Sequence, residues 1–111
     1  MLFRLLSATL SPAGERARLS ILIFHRVLPA PDPIRYLIPD VSRFDALLGW
    51  VRAAFNVLPL EEAIDRLAAG TLPSSAAAIT FDDGYADNYL HALPVLKKHG
   101  MHATFFIASD F

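Results

Sequence analysis

Two adjacent carboxylates are the side chains whose type and spacing most clearly suggest chemistry. Asp82 and Asp83 directly follow the apolar segment 76–81 and precede Gly84. Because successive residues at the end of a strand point in different directions, one carboxylate can bind a cation while the other accepts a proton. Gly84 allows a sharp turn and a close approach of the backbone to a ligand. An ordinary Asp-Gly turn, with an aspartate capping the next helix, explains the same residues, so the pair alone leaves both interpretations open.

The four histidines give weaker indications of function. His25 lies near the end of an apolar segment, where it is either a core histidine with satisfied ring nitrogens or a residue that faces a pocket. His99 and His102 are three residues apart, a spacing that suits a metal only on one face of a helix, and Gly100 is expected to end the helix between them. We therefore assign neither to a metal site, and we expect His91 at the surface or in helix packing.

The composition excludes several classes of protein. The 111 residues are 54% hydrophobic and include no cysteine, which excludes a disordered chain, disulfides and thiolate metal sites. The 10 lysines and arginines are balanced by 11 acidic residues, so no basic surface for nucleic acid is predicted. No apolar run approaches the roughly 18–20 residues of a membrane span. We also expect no signal peptide, and the sequence assigns no localisation.

Alternating helix and strand patterns predict how the candidate residues are positioned. No junction resembles a tight hairpin, so we predict an α/β fold with a parallel sheet. The strand over 20–27 is apolar on both faces, as a strand buried under helices on each side would be. In such folds ligands bind at the carboxyl ends of the strands, where His25 and the two aspartates are expected. The further predicted elements are an amphipathic helix at the start of the chain with Leu2, Leu5, Leu6 and Thr9 on one side, helices over 12–18, 42–55, 61–69 and 85–99, and strands over 56–60, 76–81 and 102–108.

The predicted helices carry local signals for their ends and their buried sides. Ser42 with Asp45 resembles a capping box, and Pro94 is expected to kink the helix over 85–99. Ile64 and Leu67 are predicted to face inward from the helix over 61–69. The helix over 42–55 has an apolar stripe formed by Phe44, Leu47, Leu48, Val51 and Phe55.

Three motifs in this order resemble the polysaccharide deacetylase (NodB-homology) domain. They are the segments 21–27 (ILIFHRV), 80–84 (TFDDG) and, after Lys98-His99-Gly100, 103–107 (ATFFI). The resemblance implies the N-terminal half of an irregular (β/α) barrel, with residues 20–111 as its first few βα units, and residues 1–19 are predicted to be an N-terminal helical segment before it. It also implies the removal of N-acetyl groups from an N-acetylated glycan with a divalent metal, usually zinc.

The resemblance gives individual residues their roles. Asp82 matches the catalytic base, Asp83 matches a metal ligand, and His25 matches a histidine near the floor of the substrate pocket. The family's other metal ligands, a His-x-x-x-His pair, are expected after the last strand, together with an orienting arginine and a late histidine acid, and this sequence contains none of them. Because a catalytic zinc needs about three protein ligands, we expect the 111-residue chain to be inactive on its own.

Two other classes of protein compete with this interpretation. A non-catalytic remnant or fold-only module would carry the same motifs without activity. A receiver-type phosphoryl-transfer protein also uses an acidic pair at strand ends, but after its first strand, whereas this pair follows roughly the third predicted strand. Half a barrel would also leave an open sheet edge after the strand over 102–108, which predicts self-association.

Overall fold

A four-stranded parallel sheet organises the chain, in a computed structural model that describes Leu6 and residues 8–108. Strand β3 (Ala76–Phe81) lies in the middle, and β1 (Leu19–Phe24) pairs with it along its full length. Strands β2 (Asn56–Val57) and β4 (Ala103–Phe105) share the other edge of β3, the first beside its beginning and the second beside its end. All three pairings are parallel, which confirms the predicted α/β class.

Within the described residues three α-helices cover the sheet, and their bounds are α1 (Val41–Ala54), α2 (Leu60–Ala69) and α3 (Leu93–Lys98). Helices α1 and α3 pack on one face, where Ile79 and Phe81 of β3 join the main core. On the opposite face Ala63 of α2 packs near Ala76, at the beginning of β3. Covered on both faces, all six side chains of β3 are buried, as expected for a central strand of a parallel sheet.

Strand β1 differs from the prediction in its length and in one exposed face. It ends at Phe24 rather than at Val27, and the buried Val27 joins the core from the following loop. Ile21 and Ile23 are 47% and 61% exposed on the face opposite Phe24. The prediction was wrong because β1 lies at the edge of the described sheet, and an apolar sequence does not show which face a second element covers.

The start of α1 is set by a different residue from the one predicted. Asp40 is the N-cap, and its side chain accepts a hydrogen bond from the backbone N–H of Arg43 at 3.1 Å. The predicted capping box of Ser42 with Asp45 is therefore wrong by two residues. Leu47, predicted in the buried stripe of this helix, is 37% exposed.

The predicted helix over 85–99 contains a wide turn just before Pro94. A π-helical turn, Asn88–Ala92, leads directly into α3, and the N–H of Leu93 donates to the carbonyl of Asn88. Pro94 provides the reason, because a proline ring clashes with the carbonyl four residues earlier in a regular α-helix. A π turn at this point accommodates the ring, and the helix continues after it.

Other predicted elements are shorter than expected. The helix over 12–18 is a single 3₁₀ turn, Gly14–Arg16, and the strand over 56–60 has only the two residues of β2. Ile64 and Leu67 are 50% and 44% exposed, because α2 approaches the sheet through Ala63 instead. Leu6 and residues 8–10 have helical backbone, while Leu2 and Leu5 of the predicted amphipathic helix lie outside the described residues. No helix in the described part of the chain is both long and apolar enough to cross a membrane.

Candidate functional site

The carboxyl ends of β1 and β3 bring His25 and Asp82 together. Phe24 and Phe81 are partners in the parallel register, so the residues that follow them leave the sheet side by side. The backbone N–H of Asp82 donates to the carbonyl of Phe24 at 3.0 Å, and His25 Nε2 lies 3.8 Å from Asp82 Oδ2. The two side chains are 58% and 39% exposed, so both remain accessible to a ligand.

The acidic turn (Asp82, Asp83 and Gly84) has an unusual backbone. Asp83 has φ of 76° and Gly84 has φ of 66°, both in the left-handed region. Glycine adopts this region freely, whereas for other L-residues it costs roughly 1–2 kcal/mol, with aspartate among the more tolerant. Asp83 is exposed and Asp82 is half-buried, so the two adjacent carboxylates have different surroundings.

The acidic turn also packs against the segment that follows β4. A Cβ on Gly84 would lie 3.3 Å from Cγ2 of Ile107, which is tighter than an ordinary contact. The backbone N–H of Phe106 donates to the carbonyl of Phe81 at 2.8 Å, immediately before the turn. A larger residue than glycine would therefore strain both the backbone and this contact.

Beyond the turn, Asp87 forms a largely buried ion pair with Arg26. Both Nε and Nη2 of Arg26 lie 3.0 Å from Asp87 Oδ2, and the N–H of Val27 donates to Asp87 Oδ1 at 3.4 Å. The guanidinium carbon of Arg26 lies 4.7 Å from the centre of the Tyr85 ring, a cation–π distance. No role was predicted for these residues, and the only signal for Asp87 in the sequence is that it lies within six residues of chain with Asp82 and Asp83.

Asn88, next along the chain, has a buried amide with no hydrogen-bond partner among the described residues. The residue is 5% exposed, and neither Nδ2 nor Oδ1 is bonded. It lies beside an open, mostly apolar depression of about 360 Å³ between the acidic turn and β4. The residues that line the depression are Gly84, Tyr85, Ala86, Asn88, Tyr89, Leu93, Phe105 and Ile107.

His99 lies in a separate cluster and not at this site. Its Nε2 is 2.7 Å from Oδ1 of Asp45, and Lys98 Nζ is 2.9 Å from Oδ2 of the same carboxylate. The hydrogen bond from Lys98, followed by that from His99, holds the pKa of Asp45 below its usual value of 3.8. His99 therefore joins α1 to the end of α3. His102 is exposed just before β4.

The donor atoms at the candidate site fit part of a metal centre. Carboxylates and an imidazole are suitable ligands for zinc and for harder divalent cations. The described residues contain no group of three or more histidine or acidic side chains close enough to hold one ion. A catalytic zinc has about three protein ligands, so these residues alone would not complete such a centre.

Comparison with known proteins agrees with this architecture. Residues 69–111 match the family model described as polysaccharide deacetylase. The Bacillus subtilis (strain 168) protein named "Putative polysaccharide deacetylase YxkH" is 40% identical over 93 residues, which cover 82% of this chain and 32% of that protein. The solved structure of IcaB from Ammonifex degensii has a TM-score of 0.70 and 33% identity, over 87% of this chain and 39% of that one. The Streptococcus pyogenes deacetylase PplD, solved in complex with acetate, has a TM-score of 0.69 and 28% identity, over 80% of this chain and 42% of that one.

The comparisons also show how much of these relatives the chain represents. It spans 32% of the curated relative and 39% and 42% of the two solved structures. The sequence and the fold therefore resemble one part of these proteins.

Proposed function

Because this chain resembles part of a polysaccharide deacetylase in both sequence and fold, we propose that it provides the general base and one metal ligand of such a domain. The reaction is the hydrolysis of N-acetyl groups on an N-acetylated glycan, in a protein longer than these 111 residues. The observation that carries the proposal is the acidic turn at the end of the buried strand β3, with His25 beside it at 3.8 Å.

Each residue has a separate task in the proposed reaction. Asp82 accepts a proton from the attacking water, because its carboxylate is accessible and lies at the ligand-binding end of the sheet. His25 places a ring nitrogen beside Oδ2 of Asp82 and limits the orientations of that carboxylate. Asp83, exposed in the same turn, is the residue that would bind the divalent metal. When bound, the metal polarises the acetamide carbonyl and stabilises the negative charge that develops on its oxygen.

The proposal is tested in a chimera, in which a relative of known structure supplies the rest of the domain. A chimera is made in which this chain replaces the matching part of the Ammonifex degensii protein, and acetate release from an N-acetylglucosamine oligomer is measured with added zinc or cobalt. Asp82→Asn is expected to lower the rate by a factor of about 100 or more, the usual range for losing a general base. Asp65→Asn, which changes an exposed aspartate of α2, is the matched control and should leave the rate unchanged.

Acetate release that Asp82→Asn leaves intact would contradict the assignment of the base. If the chimera does not fold, as judged by circular dichroism, the metal-ligand assignment is tested on the 111-residue chain itself. There Mn²⁺ should broaden the amide NMR signals of Asp83 and Gly84, and Asp83→Asn should remove the effect. Broadening that is absent from the turn, or that survives Asp83→Asn, would contradict the metal-ligand assignment.

A further inference from the structure

We propose that Arg26 and Asp87 are positioning residues for the candidate site. Their ion pair joins the segment just after β1, where His25 lies, to the helix that follows the acidic turn. The consequence for catalysis rests on the proposed function, whereas the effect on the geometry of the turn does not.

Contacts on both sides of the acidic turn connect it to the last residue of β1 and to the residues just after β1. At its beginning, the N–H of Asp82 donates to the carbonyl of Phe24 at 3.0 Å. Beyond its end, Asp87 binds Arg26 through one carboxylate oxygen and the N–H of Val27 through the other. The turn therefore lies between two contacts. Both are made to the end of β1 or to the residues just after it. Because Arg26 directly follows His25, the same contacts determine where His25 lies relative to Asp82.

The burial of the pair makes these contacts stronger than a surface ion pair. The side chains of Arg26 and Asp87 are 28% and 10% exposed, so removing one partner would leave an uncompensated charge in a largely dry environment. The exposed pair of Arg66 with Glu62, at 4.0 Å, provides a contrast, since pairs of that kind contribute little. The Arg26–Asp87 pair therefore costs more to break than the left-handed turn costs to maintain.

The chemistry of arginine is specific at this position. Nε and Nη2 both contact the same carboxylate oxygen, and the flat guanidinium lies over the Tyr85 ring. A lysine keeps the positive charge but has neither a second donor nitrogen in a fixed plane nor a flat surface for stacking. If Arg26 only supplied charge, Arg26→Lys would have little effect on the turn. If it positions the turn, Arg26→Lys would loosen it.

Amide hydrogen exchange, measured by NMR on the 111-residue chain, separates a positioning role from a general stabilising one. The measured quantity is the exchange rate of the Asp82 N–H divided by that of Thr80, which lies inside β3. Arg26→Lys and Asp87→Asn are each expected to raise this ratio by about tenfold through local opening of the turn. Tyr85→Leu, a milder change at a residue that is 42% exposed, should raise it by about threefold.

Asp45→Asn is the matched control for these variants. It removes a carboxylate that also contacts two basic side chains, Lys98 and His99, between α1 and α3 rather than at the turn. The control should leave the ratio unchanged even where it lowers the free energy of unfolding. An unchanged ratio in Arg26→Lys and Tyr85→Leu, or equal acceleration throughout β3, would overturn the positioning role.

A second measurement separates this inference from the proposed function. In the wild-type chain Mn²⁺ should broaden the Gly84 amide signal, and Arg26→Lys should reduce that broadening by at least about half because the turn becomes disordered. If Mn²⁺ broadens nothing at the turn of the wild type while the exchange ratio still responds, the metal assignment fails and the positioning role stands. If the broadening is normal in wild type and unchanged in Arg26→Lys, Arg26 does not position the ligand.

Discussion

Replacement of Phe81 by alanine tests the packing that supports the candidate site. Phe81 is 0% exposed and precedes Asp82 directly. Its ring stacks on Phe24 and Phe105, with centroids at 5.4 and 5.1 Å, and meets the edge of Phe44 at 5.9 Å. Phenylalanine-to-alanine changes in a core cost about 3–5 kcal/mol, and aromatic pairs add about 0.5–1.5 kcal/mol each. With three ring contacts we expect the upper end, about 5 kcal/mol, of the free energy of unfolding.

That loss is large for a domain of this size, whose total stability is about 5–15 kcal/mol. Urea unfolding followed by far-ultraviolet circular dichroism should show a midpoint lower by about 2 M or more, given slopes of about 1–3 kcal/mol per molar urea. Phe81→Leu, which keeps an apolar side chain but no ring, should cost about 1–2 kcal/mol. Phe106→Ala is the matched control, because that ring is 51% exposed, and it should cost less than about 1 kcal/mol. A cost for Phe81→Ala no larger than that of Phe106→Ala would refute the described packing.

Three further predictions concern other parts of the chain. Because Lys98 and His99 lower the pKa of Asp45 below 3.8, ionisation of Asp45 stabilises the fold above that pH, and the contribution is lost as the pH falls through the lowered value. Asp45→Asn should therefore weaken the acid dependence of the urea midpoint below about pH 4, and an unchanged dependence would contradict the contacts. Asp40→Ala should remove the N-cap of α1 and cost about 1 kcal/mol, a fall of about 4 °C or more in Tm. Asn88→Leu should raise the urea midpoint of this chain, because it removes a buried amide that has no hydrogen-bond partner among the described residues and costs about 1–3 kcal/mol of stability. A lower midpoint would mean that the amide has a partner.

The parallel sheet and the location of the acidic turn could be predicted because their signals are local. Residues 76–81 are consecutively apolar or small, and the polar residues that follow mark the end of the strand. The predicted strand coincides with β3 at both ends. The placement of His25 beside Asp82 then follows from parallel pairing, since neighbouring strands end at the same edge of the sheet.

The features that sequence reasoning missed depend on distant residues. Arg26 and Asp87 are 61 residues apart, so no local pattern pairs them. The exposure of Ile23 depends on which elements cover β1, and the sequence of β1 has large apolar residues on both faces. The N-cap was misplaced because Asp40 and Ser42 are both good capping residues, and the bridge that pairs Leu28 with Asp40 selects the first.

The pairing of β1 with β3 rather than with β2 has a consequence for folding kinetics. The whole of α1, β2 and α2 lies between the two paired strands, so a ribosome completes all of these elements before β1 can find its partner. The two helices can form early, because their hydrogen bonds are local. Pairing of the strands requires closure of a long loop, which brings no compensating contacts until it is complete. We therefore expect the closure of this loop, and not the formation of any helix, to limit the rate at which the chain folds.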